Sequence, residues 1–170
     1  MVAHGFSRGF DINMNPIRAK HRLPSECYKG LICCSFTCCL RSHLNIFVDD
    51  SLFRIFEHEL VDILKKNNSD AHVYIFMPDH IHLLLQGKSE ESDLKVIMRS
   101  FKQKTGYWLS KNKKGVIWQK DYFDHILRKD EDLEKHVKYI LGNPVRAGLT
   151  KDWKAYPFKG STVYDFATWE

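Results

Sequence analysis

The chain has 170 residues, 44% of them apolar, which suits one globular domain able to bury a core without disulfide or metal staples. It contains no apolar run long enough to span a bilayer, and residues 1–20 carry no signal-peptide pattern, so no membrane segment and a cytoplasmic location are expected. The net charge is +5, yet Lys95, Arg99, Lys102, Lys104, Lys111, Lys113, Lys114 and Lys120 give eight cations without an acid over residues 95–120. The basic surface is therefore local, and a one-sign block of this length favours a polyanionic partner such as nucleic acid.

Residues 1–21 mix Gly, Asn, Pro and basic side chains without periodicity and are expected to form a loose leader. A single domain is expected over residues 22–170. Its first strand candidate covers 28–40, with Ile32, Cys34, Phe36 and Cys38 on one face. Four of the five cysteines fall in this stretch. They read as small hydrophobes of a strand in a chain with no route to an oxidising compartment, although a cysteine-bound zinc remains an alternative. Asp49, Asp50 and Ser51 offer N-caps for a helix whose apolar positions are Leu52, Phe53, Phe56, Leu60, Ile63 and Leu64. The Asn-Asn-Ser-Asp run at 67–70 ends it, and 71–77 reads as a second strand.

Pro78-Asp79 reads as a tight connection into the apolar run His-Ile-His-Leu-Leu-Leu at 80–85. Side chains alternate along a strand, so His80 and His82 project from one face while Ile81, Leu83 and Leu85 enter the core. After a polar loop at 88–92, Leu94, Ile97, Met98, Phe101, Thr105 and Trp108 make one helical stripe, with Lys95, Arg99 and Lys102 as a cationic rail beside it. Residues 116–128 read as an irregular aromatic strand. Asp130, Glu131 and Asp132 then suit the start of a last helix with Leu133, Val137, Ile140 and Leu141 as its apolar positions. Tyr139 and Asn143 lie one turn apart beside that stripe, and Pro144 ends or kinks the helix. The order β-α-β-β-α-β-α is a ferredoxin-like α+β pattern: a mainly antiparallel sheet, helices on one face, and one helix appended.

A pair of histidine ligands needs a third donor and an open position; an amide oxygen and phosphate oxygens beside it suit Mg²⁺ or Mn²⁺. Asn143 offers the amide. Tyr139 offers a phenol, which attacks slowly unless a cation activates it or polarises the electrophile. Each residue also has a plainer reading. Strand histidines are often structural, a tyrosine on a helix flank is often a packed residue, and Asn before Pro is often a helix stop. Periodicity does not single out Tyr139 among seven tyrosines.

Residues 28–41 (YKGLICCSFTCCLR), 77–87 (MPDHIHLLLQG), 118–128 (WQKDYFDHILR) and 134–149 (EKHVKYILGNPVRAGL) together resemble the REP-associated tyrosine transposases. That family is a branch of the HUH single-strand DNA endonucleases and transposases. The resemblance implies that His80, His82 and Asn143 hold one divalent ion, Mg²⁺ or Mn²⁺. It also implies that Tyr139 is the nucleophile, joining to the 5′ side of the cut as a covalent phosphotyrosine. The substrate implied is single-stranded DNA with hairpin or palindromic elements, acted on by a monomer, with a dimer as the alternative. Lys95, Arg99, Lys102 and Lys104 would contact DNA backbone, and Trp118 and Tyr122 would either stack on bases or fill the core as packed aromatics. The competing functions are a catalytically silent, domesticated nucleic-acid-binding module and a small-molecule metallohydrolase; the basic rail disfavours the second.

Overall fold

The computed structural model describes residues 23–41 and 43–169; the expected leader at 1–21 lies outside the described residues. After a 3-10 turn at Ser25–Tyr28, the elements are β1 (Cys33–Cys39), α1 (Asp50–Lys66), β2 (Ser69–Met77), β3 (His80–Gly87) and α2 (Leu94–Asn112). They continue with β4 (Phe123–Ile126), α3 (Leu133–Leu141), α4 (Asn143–Arg146), a 3-10 turn at Trp153–Ala155 and β5 (Lys159–Gly160). The five strands form one antiparallel sheet in the order β4-β1-β3-β2-β5. The first four strands follow the ferredoxin-like order, and β5 extends the β2 edge. No helix among the described residues is long and apolar enough to cross a membrane.

The three long helices begin where side-chain caps meet apolar periodicity. Asp49 accepts from the Ser51 amide, Asp93 from the amides of Lys95 and Val96, and Asp132 from that of Lys135. Strand alternation then divides the core in two. Cys34, Phe36, Ile81, Leu83 and Leu85 meet Phe53, Phe56, Leu60, Met98 and Phe101 on the face covered by α1 and α2. Val73, Ile75 and Leu84 meet Val137, Ile140 and Leu141 of α3 on the other face. The appended helix therefore lies opposite the helix pair.

Two regions differ from the sequence-based expectation. The irregular strand at 116–128 is a regular strand only at Phe123–Ile126, preceded by an isolated bridge between Leu40 and Trp118. The tail is ordered into the second core. The amide of Phe76 donates to the carbonyl of Phe158, Tyr156 Oη donates to the carbonyl of Phe76 at 2.6 Å, and Trp153, Tyr164, Phe166 and Trp169 cover the α3 face. Gly160 is what lets β5 reach the sheet: a Cβ there would stand 2.2 Å from the Tyr74 hydroxyl.

The cysteine pairs are also split by the strand. Cys34 and Cys38 enter the core under the helix pair, and Cys33 and Cys39 stand half-buried on the opposite side. Four sulfurs on two faces of one sheet cannot converge on a single zinc, so the cysteines serve as strand packing. All five are free thiols.

Candidate functional site

β3 lies in the middle of the sheet between β1 and β2, so its histidines stand on the most rigid part of the molecule. Register places His82 opposite Thr37 on one side and Ile75 on the other; His80 is opposite Cys39 and Met77. Ile75 belongs to the α3 core, so the pair projects towards α3. The two Nε2 atoms are 3.1 Å apart, close to the separation of two nitrogens each about 2.1 Å from one ion. Each Nδ1 is held from behind. His80 Nδ1 lies 2.6 Å from Asp79 Oδ1, and a carboxylate can only accept, so that nitrogen carries the proton and leaves Nε2 bare. His82 Nδ1 is 2.8 Å from Thr37 Oγ1, a hydroxyl that can accept from the Nδ1–H tautomer and donate to the other. Carboxylate and hydroxyl supports of this kind fix ring orientation in metal-binding histidines.

Electrostatics favour neutral ligands. Burial first, and then the neighbouring His80 and Arg146, push the His82 imidazole down to about 3. Asp79 falls to about 2, chiefly because its carboxylate accepts from His80 and also from His43. At neutral pH the site thus keeps an unprotonated His82 beside an ionised Asp79, as metal binding requires.

The other half of the site comes from the break after α3. Gly142 ends the regular helix, and Pro144 occupies the first turn of α4. Tyr139 is 46% exposed, with the guanidinium of Arg146 4.1 Å from its ring centroid. Arg146 Nη2 donates to the carbonyl of Tyr139 and to Asn143 Oδ1, both at 2.6 Å. Asn143 Nδ2 is buried and has no hydrogen-bond partner among the described residues, while Oδ1 keeps a second lone pair. An amide left in this state gains from a polar ligand. Gly142 provides the room for this fold-back, because a Cβ there would lie 2.7 Å from Arg146 Nη1. His80 and His82 thus project from the sheet face that α3 covers, and Arg146, bonded to Asn143 and lying over Tyr139, is near enough for its charge to act on His82.

Arg146 was not among the expected site residues. Its signal lay in the spacing: positions 139, 143 and 146 follow i, i+4, i+7 and share one helical stripe. The break at Pro144 hid it.

The expected DNA-contact residues are distributed differently. Lys95 lies 4.5 Å from the Tyr28 ring centroid and donates to the Leu23 carbonyl and Ser25 Oγ. Lys102 Nζ donates to the carbonyls of Gln119, Lys120 and Asp121 and lies 5.6 Å from the Tyr122 ring. Lys104 pairs with Glu59 at 2.9 Å and Asp62 at 3.6 Å, tying α2 to α1. Arg99 is exposed. The helix that carries all four packs on the sheet face opposite the histidines. Tyr122 is half-buried edge-on to Phe36, 5.4 Å away. Trp118 departs most from expectation. It is 8% exposed, stands among Phe47, Phe56 and Phe101, and donates Nε1–H to Thr105 Oγ1 at 3.0 Å. Its faces are filled by the protein core, so it is a packed aromatic rather than a stacking platform.

A family model described as "Transposase IS200 like" matches residues 34–143, from the second residue of β1 to Asn143. A REP-associated tyrosine transposase of Escherichia coli K12 is 24% identical, with 62% of each chain covered. A Haemophilus influenzae protein assigned to the same group is 32% identical over 45% of this chain and 52% of its own length. The chain thus spans between half and two thirds of the length of these curated relatives. A REP-associated tyrosine transposase solved bound to a REP hairpin superposes with a TM-score of 0.69, covering 83% of this chain and 81% of that one. At 21% identity that likeness is one of fold. With the family model covering well over half of its length, the chain belongs to the IS200-like transposases, on the branch of the REP-associated tyrosine transposases.

Proposed function

We propose that this chain nicks single-stranded DNA at hairpin elements and transfers the cut strand through a covalent 5′-phosphotyrosine on Tyr139. The observation that supports this most is one set of groups on the sheet face that α3 covers: the Nε2 atoms of His80 and His82 3.1 Å apart, and Arg146, whose charge lowers the His82 pKa, bonded to Asn143 and lying over Tyr139. In this reading His80, His82 and the Asn143 amide oxygen hold one Mg²⁺ or Mn²⁺, and the donor set fits such an ion. Bound there, the ion would neutralise charge that builds on the scissile phosphate. The hairpin substrate is suggested by the relative solved with a REP hairpin.

The chain's own residues then account for the remaining chemistry. Tyr139 Oη forms a bond to phosphorus as the bond to the 3′ oxygen breaks; the phenolic proton leaves the nucleophile and a proton goes to the freed 3′ hydroxyl. One phosphodiester is exchanged for another, so the bond energy is conserved and the break can be resealed or transferred without ATP. Arg146 keeps a planar cation against the Tyr139 ring and Asn143, where its remaining N–H groups can steady phosphate oxygens. Asp79 and Thr37 act through the histidines as positioning residues.

The test is incubation of labelled hairpin-bearing single strands with Mg²⁺, scored for a protein–DNA adduct on a denaturing gel. The wild type should form it. Tyr139→Phe should not, while retaining hairpin binding. An adduct that persists in that variant would place the nucleophile on another residue. Binding without any Mg²⁺-dependent adduct in the wild type would favour the silent binding module.

A further inference from the structure

We propose that His125, Glu131 and His136 form a second divalent-cation site, of zinc type, which clamps the tyrosine helix α3 to the edge strand β4. Among the described residues, this is the group of three His, Cys, Asp or Glu side chains whose donor atoms lie within 4.8 Å of one another. The inference does not depend on the reaction proposed above.

The three side chains come from β4, the loop after it, and the first turn of α3. His125 Nε2 is 2.8 Å from Glu131 Oε1 and 3.1 Å from Oε2; His136 Nε2 is 3.7 Å from the same Oε1. The two imidazoles lie parallel, 8° apart in plane with centroids at 6.0 Å, so both offer their Nε2 edges to one carboxylate. The carboxylate is oriented from its other side by the Arg128 amide, which donates to Oε2 at 2.7 Å.

The tautomer of His136 makes this more than a hydrogen-bonded cluster. Its Nδ1 lies 3.0 Å from the carbonyl of Asp132, which can only accept, so Nδ1 carries the hydrogen. In the neutral ring, Nε2 is then a lone pair aimed at a carboxylate oxygen 3.7 Å away. Two acceptors face each other, and a cation between them removes the conflict. A backbone carbonyl on Nδ1 with Nε2 turned to a ligand is a recurrent support for metal-bound histidine. Two imidazoles and one carboxylate suit Zn²⁺, with a fourth position left for water, better than the oxygen-seeking Mg²⁺. All three residues are half-buried, so an ion can enter from solvent.

The position has a structural consequence. His136 lies one turn before Tyr139 on α3, and His125 pairs with Ser35 of β1 in the sheet. An ion held by both would fix the start of α3 against the sheet edge, independently of the apolar contacts of Val137 and Ile140.

The experiment uses chelator-stripped full-length protein titrated with Zn²⁺ by calorimetry, with bound metal counted by elemental analysis. The double variant His80→Ala with His82→Ala should still bind one equivalent. In that background His136→Ala should lose it, with affinity falling at least about 100-fold. Zn²⁺ should also raise the melting temperature of the double variant and leave that of the triple variant unmoved. Glu131→Gln, which keeps the side-chain volume, gives a second measure and should weaken zinc as well. Failure of the His80/His82 double variant to bind zinc would overturn the proposal, leaving a plain imidazole–carboxylate bridge. Equal zinc binding with and without His136 would overturn it too.

Discussion

The two faces of the sheet are built to different ends. Beneath α1 and α2 the packing is almost wholly apolar, with Phe36, Phe47, Phe53, Phe56, Phe76 and Phe101 buried to 1% exposure or less. On the α3 face a smaller apolar patch borders imidazoles, an under-satisfied amide and a guanidinium. The same strands supply both, because alternate residues of β3 go to opposite sides. Apolar stability is concentrated on one face, and the under-satisfied polar groups are carried by the other. Buried polar groups without partners cost free energy, and a large core opposite can tolerate that cost.

The division can be broken from the core side first. Phe56 touches Phe47, Phe101, Trp108 and Trp118, so Phe56→Ala should remove about 3–5 kcal/mol by denaturant unfolding. A loss below about 1 kcal/mol would mean that the helix-pair face is not the main source of stability. On the site face, Arg146→Ala should leave the unfolding midpoint nearly unchanged and slow adduct formation about 100-fold, with little rescue by Arg146→Lys. Gly142→Ala should act through the same guanidinium, slowing the reaction about 10-fold in the wild type but adding nothing in the Arg146→Ala background. Additive effects would separate the glycine from the arginine.

Smaller effects test the basic helix. Arg99→Glu should weaken DNA binding uniformly across sequences and reduce its salt slope by about one ion, if nucleic acid wraps from the histidine face to α2. No change in salt dependence would confine DNA to the α3 face. The smallest effect concerns the thiols. Burial raises Cys38 to about 12 and Cys39 to about 11, and pushes Cys33 to about 12, whereas Cys27 is exposed. A thiol-reactive dye on the folded protein should therefore label one cysteine quickly and the other four only on unfolding.

Much of this was legible before folding. The His-x-His spacing on an apolar strand, the cap at Asp49, the acidic start of α3 and the one-turn offset of Tyr139 and Asn143 are local properties, and each appears in the structure where the sequence placed it. The break expected at the Asn-Pro step falls just before it: α3 ends at Leu141, and the chain turns at Gly142 into the short α4. The cationic stripe was less well read. Its spacing showed one exposed face on α2 but not that Lys104 is paired to α1 and Lys102 to the 119–121 carbonyls. For Trp118 the sequence does not decide, because an aromatic in a short irregular strand looks alike whether it fills a core or meets a base; only its neighbours Phe47 and Thr105 do.

The sequence by itself determined the strands and helices from β1 through α3, their order, and the pairing of two imidazoles on one strand, because these follow from residue spacing within a strand or a turn of helix. Only the tertiary structure decided which side of the sheet each element would occupy. It carried α3 across to the histidines, put the basic helix on the opposite face, folded Arg146 back over Tyr139, and brought His125, Glu131 and His136 around one point. Those outcomes depend on contacts between segments far apart in the chain, set by which apolar faces can be buried together, and no local periodicity encodes them.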